Sequence, residues 1–552
     1  MKTKLIILAA CILAAALLFG GCPNRARDPD TLIIALSGGP RSLDPTQTND
    51  SASAEIMVQV YDTLFTLNFD TLEPMPYLAE SYAFEADGSG NLTLLRLFLK
   101  RGVLFHNGDE FKASDVKFTL DRAMVSPHIS HIAGEIQSTE VINDYEVLVT
   151  LGAPFVPILS NLAHTAMSIV NERAVTEKGD AYGQNPIGTG ALQFVKWVVG
   201  NRIELTRWDG YWGPAPRIKN VTIRYIADDA TRIIELETGG VDITYVPPQD
   251  IARVESNPNL QVMKRRSLSL SYIGFNTEKP PFDDVRVRQA IIHAIDMDAL
   301  VDVVLMKVGI PASGPLSSVV WASAANVLPK QEYDPVKARQ LLADAGFPEG
   351  FSATVVTNEN IQRVDTAQIM QSMLAEVGID LKISIMEWAA YLDMLDRGEQ
   401  EMFILGWVTV TGDPDYGLAI FHTDNMGQGG NNTRFSDPEV DRLLNLGRQE
   451  TDIAKRHDIY IEVQRLIHAG SPIIYMNEGE SQIAMGKNVR GFEINPAGHH
   501  PFWTVWFDDG KGKIDGKDCC GEGKKLNEKD CDKSCDDCED PCEFGIGKSI
   551  EN

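Results

Sequence analysis

Between Gly406 and Gly417 the chain reads G-W-V-T-V-T-G-D-P-D-Y-G, and no other stretch gathers as many groups able to grip a small molecule. Trp407 offers a rigid flat wall. Thr409 and Thr411 offer hydroxyls, Asp413 and Asp415 carboxylates, and the Gly/Pro-rich loop free backbone groups. The chemistry is non-covalent: stacking, hydrogen bonding and charge pairing with a polar solute. The alternative is a core tryptophan capping a strand before a plain turn.

No catalytic constellation accompanies this segment. G-x-S-x-G and H-E-x-x-H do not occur. Gly547-Lys548-Ser549 lacks the upstream glycine of a phosphate loop, because Cys542 stands there. Gly188 and Gly190 lack the spacing of a dinucleotide fingerprint. His128 and His131 have no carboxylate or cysteine partner nearby in sequence, and His499-His500 beside Pro501, Phe502 and Trp503 reads as packing at a strand start. The expectation is a binding protein rather than an enzyme, with no cofactor and no metal.

The N-terminus places the chain outside the cytoplasm. Lys2 and Lys4 precede an apolar run from Leu5 to Phe19, closed by Gly20-Gly21-Cys22. That is the order of a signal peptide over residues 1–21. A cysteine after two small residues makes Cys22 the candidate lipid-bearing first residue, although Phe19 stands where leucine is usual. An ordinary cleaved signal and a single anchor helix are the other readings. Acyl chains contribute about 0.8 kcal/mol per buried CH₂, enough to hold a soluble body on a membrane.

The 552-residue chain carries a formal charge of −27, and loss of Lys2 and Lys4 with the signal leaves −29. Nucleic acid is a poor partner for so acidic a chain, because phosphates require Lys and Arg. With 44% hydrophobic residues the body can bury sizeable cores, and its length suggests more than one lobe. No cysteine occurs between Pro23 and Asp518, whereas Cys519, Cys520, Cys531, Cys535, Cys538 and Cys542 crowd the C-terminus. Six cysteines outside the cytoplasm read first as a disulfide framework with fifteen possible pairings. A four-thiolate metal site over Cys531–Cys542 and a loosely paired disordered tail remain alternatives. Residues 509–552 form a linker and an acidic tail.

The elements that must position these groups alternate between strand and helix. Thr31–Leu36, Asn91–Leu99, Glu146–Leu151 and Val221–Ile226 read as strands. Gln193–Val198 and Ile203–Arg207 flank Gly200-Asn201 as a hairpin. Met402–Leu405 is a buried strand ending at Gly406, and Asp380–Trp388 is another strand. Ser114 is a candidate N-cap for a helix whose face is Val116, Thr119, Leu120 and Ala123. Asp334-Pro335 and Asp437-Pro438 start helices by placing Pro at the first helical position. Met370, Met373, Leu374 and Val377 form a core-facing stripe on a helix that includes Arg363. His106 reads as a structural turn residue.

Several short motifs stand in a telling order: Leu43-Asp44-Pro45, Tyr61-Asp62-Thr63-Leu64, Phe105-His106-Asn107-Gly108, Ala113-Ser114-Asp115-Val116, Pro186–Gly190, Gly240-Val241-Asp242, Gly274-Phe275-Asn276 and Asp284–Ala290. Together with the 406–417 segment they resemble the extracytoplasmic solute-binding proteins of peptide-type ABC importers, the dipeptide/oligopeptide/nickel-binding family, over about residues 30–508. The resemblance implies an α/β, periplasmic-binding-protein-like (type II) fold. Lobe I would comprise 30–68, 187–270 and 490–508, an inserted subdomain 69–186, and lobe II 271–489. Solute would be held between the lobes and delivered to ABC permease subunits by a lipid-anchored monomer of the cell envelope.

The same resemblance implies a ligand set of Trp407, Thr409, Val410, Asp413, Asn276, Arg363 and Arg434, with either arginine available for a carboxylate or spent on a salt bridge. In dipeptide- and oligopeptide-binding relatives an aspartate three residues after the tryptophan holds the peptide α-amine. Val410 stands there in this chain. The expected solute is a peptide or peptide-like molecule, with glutathione, an oligosaccharide or a metal chelate as alternatives. A ligand-sensing or surface-interaction lipoprotein of the same fold is the alternative function.

Overall fold

A computed structural model describes residues 30–508 apart from 308, 428 and 429. Cys22 and the six tail cysteines lie outside the described residues. The strands are β1 (Thr31–Leu36), β2 (Phe65–Leu67), β3 (Pro74–Pro76), β4 (Ala79–Ala86), β5 (Leu92–Leu99), β6 (Ile136–Asn143), β7 (Glu146–Leu151), β8 (Leu192–Val198), β9 (Arg202–Arg207), β10 (Asn220–Tyr225), β11 (Ile243–Tyr245), β12 (Leu260–Phe275), β13 (Ile310–Pro311), β14 (Ser352–Asn358), β15 (Asp380–Met386), β16 (Met402–Val408) and β17 (Ile473–Gly486). Among the described residues, one eleven-stranded sheet runs β15-β14-β16-β12-β17-β11-β1-β10-β9-β8, with β13 on β17. A separate four-stranded sheet, β4-β5-β7-β6, belongs to the inserted subdomain.

The two long strands β12 and β17 carry the chain between two α/β lobes. Their ladder shifts register between Arg266 and Leu270. On one side of that break β1 runs parallel to β10 and β11. On the other, β14 runs parallel to β15 and β16. Because β16 is antiparallel to β12, its C-terminal Val408 pairs with Ser269, while its N-terminal Met402 pairs with Phe275. Tyr245, the last residue of β11, pairs with Ile483, which pairs with Met263 of β12. The C-terminal ends of both parallel sets therefore converge on the broken stretch of β12. Open α/β sheets bind ligands in the crevice outside such ends.

Each lobe buries its own core. Leu32, Ile34, Ile203, Val221, Ile483 and Phe502 share one cluster. Val287, Ala290, Ala338, Met370, Leu374 and Ile404 share another. The subdomain core collects Leu95, Phe111, Val116, Leu120, Val147 and Val149 around its sheet. Helix starts follow the Asp-Pro device: Asp334 accepts hydrogen bonds from the Val336 and Lys337 amides, and Asp437 from Glu439 and Val440.

Several strand bounds differ from the sequence reading by one residue, and three boundaries differ for a reason the structure makes plain. The helix Ala113–Val125 is capped at Lys112, whose amide donates to the Asp115 carboxylate, so Ser114 lies inside the first turn. Trp388 does not end β15 but begins the helix Trp388–Asp396, because the Glu387 carboxylate accepts the Ala389 and Ala390 amides. β16 does not stop at Gly406 but continues through Trp407 to Val408, held by pairing with Leu270 and Ser269.

Pro186–Gly190 brings the chain back to the first lobe at very close range. A Cβ at Gly190 would lie 2.6 Å from the Val60 carbonyl carbon and 2.8 Å from the Gln59 oxygen. These obstacles are backbone and cannot rotate away. Gly190→Ala is expected to cost about 3 kcal/mol, the upper end for overpacking, read as a lowered urea midpoint at unchanged m-value. His106 closes this turn as expected: its Nε2 bonds to the Gly190 carbonyl at 2.8 Å, and burial brings its pKa down to about 4.

Candidate ligand-binding site

Helices and strand ends from both lobes frame the crevice. Beyond β14, Asn360 caps the helix Ile361–Ala375 by accepting the Arg363 amide at 3.1 Å. Beyond β15 comes Trp388. Both helices direct their positive N-terminal ends toward the level of the broken ladder. From the first lobe, Arg41 follows β1 and pairs with Asp393 of the Trp388–Asp396 helix at 2.7 Å. The two sides of the crevice are thus in contact, with its mouth drawn together.

Arg363 is the most unusual group in this frame. Its Nη1 donates to Asn358 Oδ1 at 2.9 Å, and its guanidinium carbon lies 5.6 Å from the Trp388 ring centroid. It forms no ion pair with any described carboxylate. It is deep in the molecule, and burial pulls its pKa down, yet part of its side chain remains accessible. A Cβ on Gly406 would lie 3.9 Å from both Arg363 Nη2 and Ser271 Oγ, and 3.1 Å from the Leu270 carbonyl. Gly406 therefore leaves open the space that the arginine and the serine share.

Trp407, the next residue, is half-buried and stacks on Tyr416 with centroids 5.4 Å apart and planes at 24°. Its Nε1 is shielded from solvent and has no hydrogen-bond acceptor among the described residues. The Trp388 Nε1 is in the same condition. Thr409 is buried; its amide donates to the Leu268 carbonyl and its side chain packs toward Gly417. Val410 packs against both the subdomain core and the second-lobe core. A carboxylate at position 410 would enter an apolar joint, so valine there is a packing requirement as well as a missing amine partner.

The aspartates of the segment are not free. Asp413 accepts two hydrogen bonds from Arg456, at 2.7 and 2.8 Å, with both side chains buried. It also caps the helix Pro414–Leu418 through the Asp415 amide at 2.9 Å. Asp415 pairs with Arg448 at 2.9 Å. Asp413 is therefore a structural ion partner, contrary to its expected place in the ligand set.

Asn276 also departs from expectation. It lies just past the Phe275 end of β12, six residues beyond the Leu270–Trp407 pair, or roughly 20 Å along the strand. Its amide nitrogen donates to the Gly398 and Gln400 carbonyls, and its Oδ1 accepts the Glu278 amide. Arg434 donates to the Asp396 carbonyl at 2.6 Å from a backbone with φ of 53°, and it pairs with no described carboxylate. It braces the Gly398 and Gly427 turns rather than standing beside Trp407. The structure places Trp407 and Val410 against the subdomain core, with Thr409 packed toward Gly417, while Arg363 meets Ser271 across Gly406.

Sequence reading did not single out Ser269 and Ser271, half-exposed on β12 opposite Val408 and Gly406. The alternation S-L-S-L-S over 267–271 was the available signal. The arrangement can hold an anionic group at the arginine and helix end, stack a flat or apolar part on tryptophan, and hydrogen-bond the remainder. It contains no nucleophile and base within hydrogen-bond reach of each other.

Residues 73–428 match the family described as bacterial extracellular solute-binding proteins, family 5 Middle. The chain is 33% identical over 478 residues to the glutathione-binding protein GsiB of Pectobacterium atrosepticum, covering 84% of this chain and 91% of that protein. It is 32% identical over 496 residues to the Escherichia coli K12 protein of the same name, covering 87% and 95%. The periplasmic binding protein DppA of Helicobacter pylori, solved with the peptide STSA, superposes with a TM-score of 0.82 at 28% identity, covering 86% of this chain and 98% of that one. AppA of Bacillus subtilis, solved with a nonapeptide, gives 0.81 at 27%, covering 87% and 99%.

Proposed function

The chain belongs to the bacterial extracellular solute-binding proteins of family 5, and from that membership we infer that it captures a peptide-like solute bearing a free carboxylate, with glutathione the first candidate. It is a solute-binding protein of the ABC-importer type. The finer reading rests on one observation: Arg363 stands deep at the convergence of the strand ends with no carboxylate to neutralise it. A buried guanidinium is costly when unpaired, and a ligand carboxylate supplies the bidentate partner that its planar fork favours.

Trp388 lies against that anchor, Trp407 supplies a wall at the same strand end, and Ser269 and Ser271 supply hydroxyls. The 406–417 loop offers no free carboxylate to an α-amine, since Asp413 and Asp415 serve Arg456 and Arg448. This favours a solute recognised through its carboxylates over one gripped by its amino terminus. Ligand bound in the crevice stabilises the closed arrangement, and exclusion of water strengthens each polar contact.

The division into lobe I, inserted subdomain and lobe II follows the separate cores. Val170, Ala174 and Tyr182 pack with the first-lobe core, which favours an insertion ending near residue 169. Delivery to permease subunits, a lipid anchor at Cys22, a monomeric state and disulfides in the tail are part of the same proposal, as is the absence of catalysis: the relatives are named for binding. A thermal-shift panel of glutathione, di- and tripeptides, an oligosaccharide and a nickel chelate tests the solute class. A rise in Tm with glutathione or short peptides is expected; a response to the sugar or chelate alone would overturn the reading. Trp407→Ala is expected to weaken the responding ligand by at least about tenfold, from lost stacking and apolar contact, measured by calorimetric titration of the folded variant.

A further inference from the structure

Tyr416 belongs by sequence to the second lobe, in the helix after the Trp407 loop, yet its side chain is 5% exposed within the subdomain core. The other buried residues of that core all come from 64–169. One face of the Tyr416 ring stacks on Trp407. His131 stacks on it at 6.2 Å and 24°, and His164 lies tilted against it at 5.1 Å. His164 Nε2 and the Tyr416 hydroxyl are 3.2 Å apart. A row of rings thus joins the cleft tryptophan to two histidines of the subdomain.

The subdomain is tied firmly to the first lobe. Arg122 pairs with the buried Asp44 at 2.7 Å, Ser126 Oγ donates to the Thr46 carbonyl at 2.6 Å, and His106 bonds the Gly190 carbonyl. Its polar link to the second lobe is slighter: the Val156 amide donates to the Arg448 carbonyl at 2.8 Å. Parting the lobes to admit or release solute must therefore draw Tyr416 out of its seat.

That seat accepts only neutral histidines. The Ala166 amide donates to His164 Nδ1 at 2.9 Å, so the ring proton sits on Nε2 and points to the tyrosine oxygen. An imidazolium carries a proton on both nitrogens and would set N–H against N–H at Ala166. His131 has both ring nitrogens shielded from solvent with no hydrogen-bond partner among the described residues, so a second proton there would find no acceptor among them. The charged groups around the seat do not rescue it. Arg448, paired with Asp415, disfavours charge on His131; Glu135 lies beside Arg448. His499, itself near Asp50, disfavours charge on His164. Asp396, Arg397 and Asp424 line, with His131, a surface cavity of ≈ 410 Å³.

We propose that Tyr416, seated against His131 and His164, is a proton-operated latch on the closed state: acid charges the histidines, expels the tyrosine and opens the cleft. The latch rests on the closing-cleft reading above but not on which solute is carried. Burial, with Arg448 adding to it, brings His131 to about 4, and burial pushes His164 well below its ordinary value. A solvated histidine titrates near 6.5. The latch contribution is therefore fully present above about pH 6.5 and is lost as pH falls toward about 4. At pH 5 His131 alone weakens closure about 30-fold.

The test titrates full-length protein with glutathione at pH 7.5 and pH 5, beside His131→Gln/His164→Asn. Asparagine keeps an acceptor for the Ala166 amide but binds no proton. Wild type is expected to lose at least about 30-fold in affinity and the variant less than about threefold. Equal losses in both, or no loss in wild type, would overturn the latch. If glutathione fails to bind at pH 7.5, the solute assignment fails and small-angle scattering of the unliganded protein decides the latch. An acid-induced rise in radius of gyration in wild type but not in the variant supports it; an unchanged radius in wild type overturns it. A melt at pH 7.5 checks that the variant is folded, and His164→Asn alone, with a smaller shift expected, replaces it if not.

Discussion

Arg363→Met is expected to abolish high-affinity solute binding while leaving the unliganded protein as stable as before, or more so. The two effects have one cause. Among the described residues the Arg363 guanidinium donates one side-chain hydrogen bond, to Asn358, and lies beside the Trp388 ring, and burial lowers its pKa. Losing a charge-assisted bidentate contact to a ligand carboxylate costs about 3 kcal/mol or more, a factor of roughly a hundred or greater. In the unliganded protein the same charge is a desolvation burden, and methionine keeps the apolar stem while removing it. The lost asparagine bond and ring contact offset this by about 1 kcal/mol. Calorimetric titration and urea unfolding of the same sample read both quantities. Lower stability with unchanged affinity would show that Arg363 serves the fold instead.

Asp413→Asn is expected to behave in the opposite way. Asp413 and Arg456 form a buried bidentate pair, and Arg456 also donates to the Gly447 carbonyl and the Tyr460 hydroxyl. Removing one charge strands the other, which costs about 3–5 kcal/mol. Unfolding by urea should move accordingly, while the solute affinity of the folded fraction stays within about threefold of wild type. A stable variant that no longer binds would return Asp413 to the ligand set.

These two residues show what sequence makes legible and what it hides. Motif order from Leu43 to Trp503 was enough for the family and the two-lobe architecture, because strand, cap and turn chemistry is local. The Asp-Pro helix starts, the 193–207 hairpin and the turn role of His106 were legible for the same reason. The ligand set was less so. Asp413 and Arg363 look alike as charged residues in a row of letters. Only the fold shows that one meets Arg456, 43 residues on, while the other meets no carboxylate. Asn276 was misplaced because a position at the end of a strand does not say which end faces the crevice; the register of β12 with β16 does. Val410 was legible as a missing aspartate, but its contact with two cores was not. The subdomain seat of Tyr416 carried no signal, since His164 lies 252 residues earlier.

The central claim is that the crevice beside Arg363 and Trp407 carries a peptide-like molecule with a free carboxylate. Native mass spectrometry of the gently purified full-length protein tests it most directly, by weighing and fragmenting whatever remains bound. The account predicts a one-to-one adduct that fragments as glutathione or a short peptide with its carboxyl terminus free, and that is missing from Arg363→Met. A neutral sugar, or an adduct retained undiminished by Arg363→Met, would contradict it.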